Sequence, residues 1–376
     1  MTNREIVKNY IKNGGDYYYC SLQIGSGAGY DVKLAGKTWF SSATLEDTIN
    51  AYRRYDMLPL YNCGMMDLAD LSPDIYWEEL ERVESGSSRS WKNRLVTPKG
   101  SLELHTREDE FKGTFQTKYL ITEEDELSIL ECYLDTLLEN NDFSPVEKHV
   151  KRLRAVLGED EPMNIQWCMH PYAILCFADI CNNVIFASIC PDVFKRLMNK
   201  VLRLNEKLIP EVKKGGADSV MIGVPGVEML SPKYYEDFIV PYSKIVSEMA
   251  HKESLLIYAH FCSPIEPMLT LGYYNRMGID LFETLSEAPV GNVKSMEDAF
   301  SKLSPEICTR GNIGLDALLL EEPDQIKERS FRILEAAKRH GRKHLLAASD
   351  YLFYETKEDN VIAMCEAVKE FNSLIC

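Results

Sequence analysis

The sequence predicts an α/β fold of the (β/α)8 barrel class. From about residue 160 onward, short apolar runs of strand length alternate with segments of helix length. Repeated strand–helix units imply right-handed crossovers and a parallel sheet, either doubly wound or closed as a barrel. No GxGxxG motif opens a helix and no P-loop is present, which disfavours a nucleotide-binding doubly wound sheet. A length of 376 residues suits one barrel with an N-terminal extension.

The individual elements follow from apolar patterning and from turn residues. The predicted strands are 163–169, 219–224, 255–260, 279–285, 305–313 and 343–349. The predicted helices are 122–139, 144–158, 192–216, 231–252, 295–303, 322–341 and 356–371. The region before them is irregular, and residues 83–104 predict a small hairpin with Pro98 and Gly100 at its turn. We therefore expect one domain, in which residues 1–120 form an N-terminal extension and the first part of the barrel, and residues 121–376 form the barrel body.

Composition excludes several classes of function. Hydrophobic residues make up 45% and charged residues 27%, as in ordinary globular proteins. The net charge of −16 disfavours nucleic-acid binding. The N-terminus has no apolar signal core and no run approaches ~20 apolar residues, so we expect a cytoplasmic protein without membrane contact. The eleven cysteines include no CxxC pair, which argues against zinc-ribbon and thioredoxin-like sites.

Acids and metal-competent side chains follow several of the predicted strands. In a parallel barrel, the active site forms where the carboxyl ends of the strands meet. The residues that fall at these ends are His170, Glu228, His260, Cys262, Glu283, Arg310, Asn312 and Asp350. A barrel without a function at this rim has no need of such a set, so we expect the active site there.

His260 and Cys262 form the most specific pair in this set. Side chains at i and i+2 of an extended segment point to the same side, so the two donors can converge on one ion. Imidazole and thiolate together suit zinc, with Asp350 as a third ligand and one position open for catalysis. Glu228 and Glu283 are the candidate catalytic acids. Their structural alternatives are a contact with the following helix for Glu228 and a salt bridge at the barrel rim for Glu283.

Five segments resemble, in order and spacing, the uroporphyrinogen decarboxylase superfamily. They are GGADSVMIGVPGVEMLSPKYYEDFIVPY, IYAHFCS, GIDLFETLSEAPVGNV, TRGNI and ASDYLFYETKEDNVIAMCEAV. The resemblance covers about residues 120 to 376 and implies the same (β/α)8 barrel. Decarboxylases of this superfamily need no cofactor and hold a polycarboxylate through N-terminal arginines. The corresponding stretch here, YYYCSLQIGSGAGYDVKL, contains no arginine.

The resemblance is greater to the zinc-dependent corrinoid methyltransferases of the superfamily. His260 and Cys262 match their His-x-Cys pair, whereas Asp350 stands where those relatives place a more distant cysteine. Aspartate makes the metal a stronger Lewis acid, which fits polarisation of an ether or alcohol oxygen better than activation of a thiol. Tyr258, Phe261, Tyr351 and Phe353 either line an aromatic pocket or form the barrel wall.

The resemblance thus implies a methyltransferase that moves a methyl group between a small methylated substrate, most simply a methoxy compound, and the cobalt of a corrinoid partner protein. Zinc is the expected bound cofactor, and the corrinoid is supplied by the partner. Two alternatives stay open: a cofactor-free decarboxylase, and a non-catalytic module that binds zinc or a corrinoid protein. An acidic barrel with exposed helices is also compatible with a homodimer.

Overall fold

The computed structural model describes residues 1–25, 27–166, 177–223, 230–261 and 264–375. All six predicted strands are confirmed within the described residues, and further strands precede them. The predicted ends of the first two, 167–169 and 224, lie outside the described residues. In chain order the strands are β1 (Tyr19–Cys20), β2 (Tyr61–Gly64), β3 (Tyr76–Ser85), β4 (Ser88–Thr97), β5 (Gly100–Asp109), β6 (Gly113–Lys118), β7 (Met163–Gln166), β8 (Ser219–Gly223), β9 (Leu256–His260), β10 (Leu281–Glu283), β11 (Cys308–Ile313) and β12 (His344–Ala348).

All seven predicted helices are confirmed, and further helices occur, three of them in the N-terminal region that was expected to be irregular. In chain order the helices are α1 (Asn3–Asn13), α2 (Tyr30–Leu34), α3 (Leu45–Arg53), α4 (Leu127–Glu139), α5 (Ser144–Leu157), α6 (Ile180–Ile189), α7 (Pro191–Lys214), α8 (Pro232–Tyr234), α9 (Val240–Lys252), α10 (Glu266–Thr270), α11 (Met296–Lys302), α12 (Leu315–Leu320), α13 (Pro323–Arg339) and α14 (Glu358–Ile375). A π-helical turn, Tyr235–Ile239, joins α8 to α9. Across the described ranges, no helix combines the length and apolar character that a membrane span requires.

Eight strands form one parallel sheet in the order β1-β12-β11-β10-β9-β8-β7-β2. The strands at the two ends of this order, β1 and β2, lie next to each other. The amide of Leu58, just before β2, donates to the carbonyl of Cys20, in β1, at 2.8 Å. The Tyr52 hydroxyl lies within hydrogen-bond distance of the carbonyls of Leu22 (2.9 Å) and Leu60 (3.1 Å), on either side of the same seam. The sheet therefore closes on itself with helices outside, which confirms the barrel class. The division of the chain at residue 120 stays a prediction.

Helix α1 covers the amino-terminal end of the barrel. Its apolar face packs with the inward-facing residues at the lower end of the strands, among them Leu256, Leu281 and Leu345. The Tyr10 hydroxyl donates to the His344 carbonyl at the start of β12, at 3.0 Å. Ion pairs from α1 add to these apolar contacts. Arg4 Nε, for example, lies 2.8 Å from Asp218 Oδ1. One end of the barrel is therefore closed, and access to the interior is from the other end.

The predicted hairpin is confirmed as β4 and β5, the central pair of a four-stranded antiparallel sheet in the order β3-β4-β5-β6. Leu95 and Leu102 are buried against α4, whereas β3 is exposed along nearly its whole length. Phe111, in the β5–β6 turn, packs edge-on against Tyr354, which follows β12. This sheet therefore supports a loop at the carboxyl end of the barrel.

Candidate active site

Three of the described candidates lie together at the carboxyl end of the barrel strands, as predicted. His260 is the last residue of β9 and Glu283 the last of β10, and Asp350 lies two residues after β12 ends. Arg310 and Asn312 lie within β11. The remaining candidates, His170, Glu228 and Cys262, lie outside the described residues, so their places in the site stay predictions.

His260 and Glu283 form a directly bonded pair. Strands β9 and β10 are parallel and place the two residues opposite each other. His260 Nδ1 lies 2.6 Å from Glu283 Oε1. Because a carboxylate can only accept, Nδ1 carries the hydrogen, and in the neutral ring the lone pair is on Nε2. A carboxylate behind one ring nitrogen is the usual way in which a metal-binding histidine is oriented.

The Glu283 carboxylate is fully buried, and its other oxygen is also occupied. Gln23 Nε2 donates to Oε2 at 3.0 Å, and Arg310 Nη1 donates to the same atom at 3.2 Å. Burial raises the pKa of Glu283, but the charge of Arg310 and the hydrogen bond from His260 outweigh it and hold the pKa below its ordinary value. The carboxylate is therefore ionised at neutral pH and fixes the imidazole in one orientation.

Arg310 is also fully buried, and its donors are directed inside the protein. Nε donates to the Ser21 carbonyl at 2.6 Å, Nη2 donates to the Leu22 carbonyl, and Nη1 also contacts the Tyr258 hydroxyl at 3.0 Å. Burial alone lowers the pKa of Arg310, but Tyr258 and Glu283 raise it overall. The guanidinium thus ties β1 to β9 and β10 beneath the mouth of the barrel and has a structural set of partners.

Asp350 faces the opposite nitrogen of His260. Its Oδ1 lies 3.7 Å from Nε2, which is beyond hydrogen-bond distance, and accepts from the Tyr351 amide at 2.7 Å. Burial raises the pKa of Asp350, although the neighbouring His260 opposes this. Two ligands of one tetrahedral zinc ion, with bonds of about 2.0–2.1 Å, lie about 3.3 Å apart. The nitrogen and oxygen donors therefore fit a shared ion after a small side-chain movement.

A cluster of three or more potential ligands is absent from the part of the chain that the structure describes. His260 and Asp350 are two of the three predicted ligands, and the third, Cys262, falls in the gap at residues 262–263. Asn312 does not join them, since its Nδ2 donates to the Leu285 carbonyl at 2.7 Å. Zinc at this site stays a prediction, supported by the fit of His260 and Asp350 and by the spacing of Cys262 in the sequence.

A chain of side-chain amides leads to Tyr351, beside the imidazole. The Ser219 hydroxyl donates to Asn164 Oδ1 at 2.8 Å, and Asn164 Nδ2 donates to Asn62 Oδ1 at 2.7 Å. Asn62 Nδ2 in turn donates to the Tyr351 hydroxyl. The Tyr351 ring lies 5.7 Å from the His260 ring, measured between centroids. Strands β2, β7 and β8 thereby fix an aromatic ring next to the predicted metal ligand.

The other predicted aromatic residues divide between wall and surface. Phe261 is buried and stacks on Phe282 at 5.6 Å between ring centroids, as a wall residue does. The Tyr258 hydroxyl contacts Arg310 below the site. Phe353, in contrast, is half exposed after β12. Of the four, Tyr351 is the one whose ring pairs with His260.

Sequence reasoning missed Gln23 and Asn62, because β1 and β2 are too short for their apolar runs to stand out. β1 has two residues and β2 has four. The sequence did contain a signal for Gln23. Ser21 and Gln23 alternate with Leu22 and Ile24, as in a strand with one polar and one apolar face. All four are fully buried. The polar pair therefore faces the barrel interior rather than solvent.

A family comparison agrees with this architecture. The sequence model described as Uroporphyrinogen decarboxylase (URO-D) matches residues 135–371, more than half of the chain. The chain belongs to the uroporphyrinogen decarboxylase family. The match includes β7 to β12 and the three described candidates at the mouth, His260, Glu283 and Asp350.

Individual relatives of this family are distant. Uroporphyrinogen decarboxylase from Prochlorococcus marinus (strain NATL1A) is 26% identical over 190 residues, which are 49% of this chain and 50% of that protein. The Trichodesmium erythraeum (strain IMS101) enzyme of the same name is 26% identical over 238 residues, which are 61% of this chain and 62% of that protein. The chain thus spans about half to three fifths of the length of these curated relatives.

A solved structure covers the whole fold. A methyltransferase from Methanosarcina mazei superposes with a TM-score of 0.70 over 99% of both chains, at 15% sequence identity. At this identity the likeness establishes the fold alone. The family resemblance seen in the sequence is confirmed by the family model, and the barrel fold by this structure.

Proposed function

We propose that the protein is a zinc-dependent methyltransferase that moves a methyl group between a small methylated substrate, most simply a methoxy compound, and the cobalt of a corrinoid partner protein. The observation that carries the proposal is the arrangement around His260. Its Nδ1 is bonded to a buried carboxylate, and its Nε2 faces a second carboxylate at 3.7 Å. This is the environment of a metal-binding imidazole.

His260, Cys262 and Asp350 are the residues that would hold the metal. Zinc, when bound, would act as a Lewis acid toward the oxygen next to the transferred methyl group. Glu283 orients the imidazole, and Arg310 and Gln23 hold Glu283 in place. Because both Glu283 oxygens are occupied and the side chain is fully buried, its part is to position His260 rather than to exchange protons with substrate. Glu228 stays a candidate catalytic acid from the sequence.

A decarboxylase is the second candidate, because the family model and the curated relatives carry that name. Its substrate has many carboxylates, which calls for cations that face the substrate. Arg310 does not serve that purpose, since it is fully buried and bonded to Ser21, Leu22, Tyr258 and Glu283. The third candidate, a non-catalytic zinc or corrinoid-protein binding module, predicts metal uptake without turnover.

Elemental analysis of the purified chain tests the metal site first. We expect about one zinc per chain in the wild type and its loss in Cys262→Ala and Asp350→Ala. Asp316→Ala, which removes an exposed carboxylate elsewhere, is the control and should retain the metal. Wild-type protein without zinc after reconstitution under reducing conditions would refute the proposal and favour the decarboxylase.

Turnover separates the remaining candidates. The zinc-loaded chain is incubated with methoxylated compounds and cob(I)alamin, free or bound to a corrinoid protein, and methylcobalamin is followed by its absorbance. Methyl transfer supports the enzyme. Stoichiometric zinc without transfer, tested also in the reverse direction, supports the binding module instead.

A further inference from the structure

A cavity lies outside the predicted metal site, between the ends of β11 and β12 and helix α13. Its volume is about 360 Å³, at the lower end of the range for small-molecule sites. His260, Glu283 and Asp350 are not among the residues that line it. The cavity is therefore separate from the proposed methyl-transfer site.

Two buried polar side chains line this cavity and have polar atoms without a partner. Asn312 is 4% exposed and Ser349 is 1% exposed. Asn312 Nδ2 donates to the Leu285 carbonyl, but its Oδ1 has no hydrogen-bond partner among the described residues, and neither has Ser349 Oγ. Leaving a buried polar atom unpaired is costly, because the atom has lost its hydrogen bonds to water. Asn312 requires a donor from an occupant of the cavity, and Ser349 can either donate or accept.

The charged residues around the cavity are nearly balanced. Three arginines line it, against four acidic residues: Arg329, Arg332, Arg339, Glu287, Glu297, Asp316 and Glu335. Some of these charges are already neutralised, since Arg339 lies 3.2 Å from Glu297, and Arg329 pairs with Glu321. A cavity with both signs of charge has no strong preference for an anion or a cation. Its side chains instead offer guanidinium donors and carboxylate acceptors.

We propose that this cavity is a second ligand site for a small uncharged polyhydroxylated molecule of the sugar or polyol class. A hydroxyl group donates and accepts at once, so adjacent hydroxyls can satisfy Asn312 Oδ1, Ser349 Oγ and the charged wall together. Met296 and Ile333 supply apolar surface for the carbon skeleton. A phosphate would satisfy the arginines but would also meet the four carboxylates of the lining.

Isothermal titration of the full-length chain tests the site with glucose, xylose, myo-inositol and glycerol, each used alone, and with inorganic phosphate for comparison. Glu335→Trp places a large ring at the cavity lining on α13. Glu328→Trp makes the same change at an exposed position of the same helix that does not line the cavity, and is the matched control. Ser349→Ala removes one of the unpaired atoms.

We expect at least one of the four polyols to bind at a single saturable site. Glu335→Trp and Ser349→Ala should weaken that binding at least about tenfold, while Glu328→Trp leaves it within about twofold. Ser349→Ala should not lower stability in urea, because the hydroxyl it removes has no partner among the described residues. The proposal is overturned if none of the polyols binds, if phosphate alone binds, or if the two tryptophan variants behave alike.

Discussion

The two ends of the barrel each hold an aspartate beside cationic or imidazole side chains, but the arrangements differ. At the closed end, the Asp218 carboxylate forms ion pairs with Lys8 at 2.7 Å, Arg4 at 2.8 Å and Arg154 at 3.0 Å. At the mouth, Asp350 Oδ1 lies 3.7 Å from His260 Nε2, beyond hydrogen-bond distance. Burial raises the pKa of both aspartates, but at Asp218 the hydrogen bonds from Lys8, Met163 and Arg4 outweigh it and lower the pKa.

This difference separates a carboxylate that serves the fold from one that is set for a ligand. Asp218 joins α1, α5 and the start of β8, and its charge is matched inside the protein. Asp350 is held by the Tyr351 amide and directed at an imidazole whose other nitrogen is already fixed by Glu283. We therefore expect substitutions at the closed end to change stability alone, and substitutions at the mouth to change metal retention as well.

The largest effect is expected from Glu283→Ala, because Glu283 contributes both to stability and to metal retention. The substitution leaves the Arg310 charge buried without its carboxylate, which should lower the free energy of unfolding by about 3–5 kcal/mol. It also frees the His260 ring, so zinc retention should fall. Urea unfolding and zinc analysis measure the two effects, with the exposed Glu287→Ala as control. A stable variant that keeps its zinc would show that Glu283 is not the support inferred here.

Asp218→Asn tests the opposite end. It removes the charge shared by Arg4, Lys8 and Arg154, and we expect a loss of about 2–3 kcal/mol in the free energy of unfolding. The depressed pKa makes this contribution present above pH ~3.8, the unfolded value, and lost as pH falls through the lower folded pKa. Zinc content at pH 7 should match the wild type. A variant that loses zinc while folded would remove the distinction between the two ends.

The sequence was sufficient for the barrel and for much of the mouth. Six strands have apolar runs long enough to be recognised. Because parallel strands end at one rim, the sequence alone places His260, Glu283 and Asp350 together. β1 and β2 could not be found in this way, since their few residues give no periodic signal. For the same reason the sequence prediction missed Gln23, which donates a hydrogen bond to Glu283, and Asn62, which donates one to Tyr351.

The sequence predicted only two of the four strands of the antiparallel sheet, and the reason is different. The hairpin formed by β4 and β5 combines a clear turn signal, at Pro98 and Gly100, with buried leucines on its inner face. β3 is exposed on both faces, and its apolar residues, Tyr76, Trp77, Leu80 and Val83, do not alternate regularly with polar ones. Its place is decided by pairing with β4 along nearly its full length, a contact between segments that a local pattern does not record.

A third test uses His344, at the start of β12 and far from the mouth. Burial, with some effect of Arg342, lowers the pKa of His344 to about 3. Below about pH 6.5 the unfolded chain takes up a proton that the folded chain does not, so stability should fall by about 2 kcal/mol between pH 6.5 and 5. His344→Gln should flatten this slope, measured by urea unfolding at several pH values. Asp218→Asn should leave it unchanged, because Asp218 titrates at lower pH. If the free energy of unfolding falls equally with pH in the wild type and in His344→Gln, His344 is not the group responsible.

The smallest effect is expected where the antiparallel sheet meets the mouth. Phe111 packs on Tyr354 with ring centroids 5.4 Å apart, and Tyr354 follows Asp350 by four residues. Phe111→Ala should cost about 1 kcal/mol in thermal or urea unfolding and should loosen the loop that carries Asp350, so that zinc is lost faster to a chelator. Phe115→Ala, at a similarly exposed position of β6, is the matched control. If both variants release zinc at the wild-type rate, the sheet contributes to stability without supporting the site, and the contrast between the two ends is confined to the barrel itself.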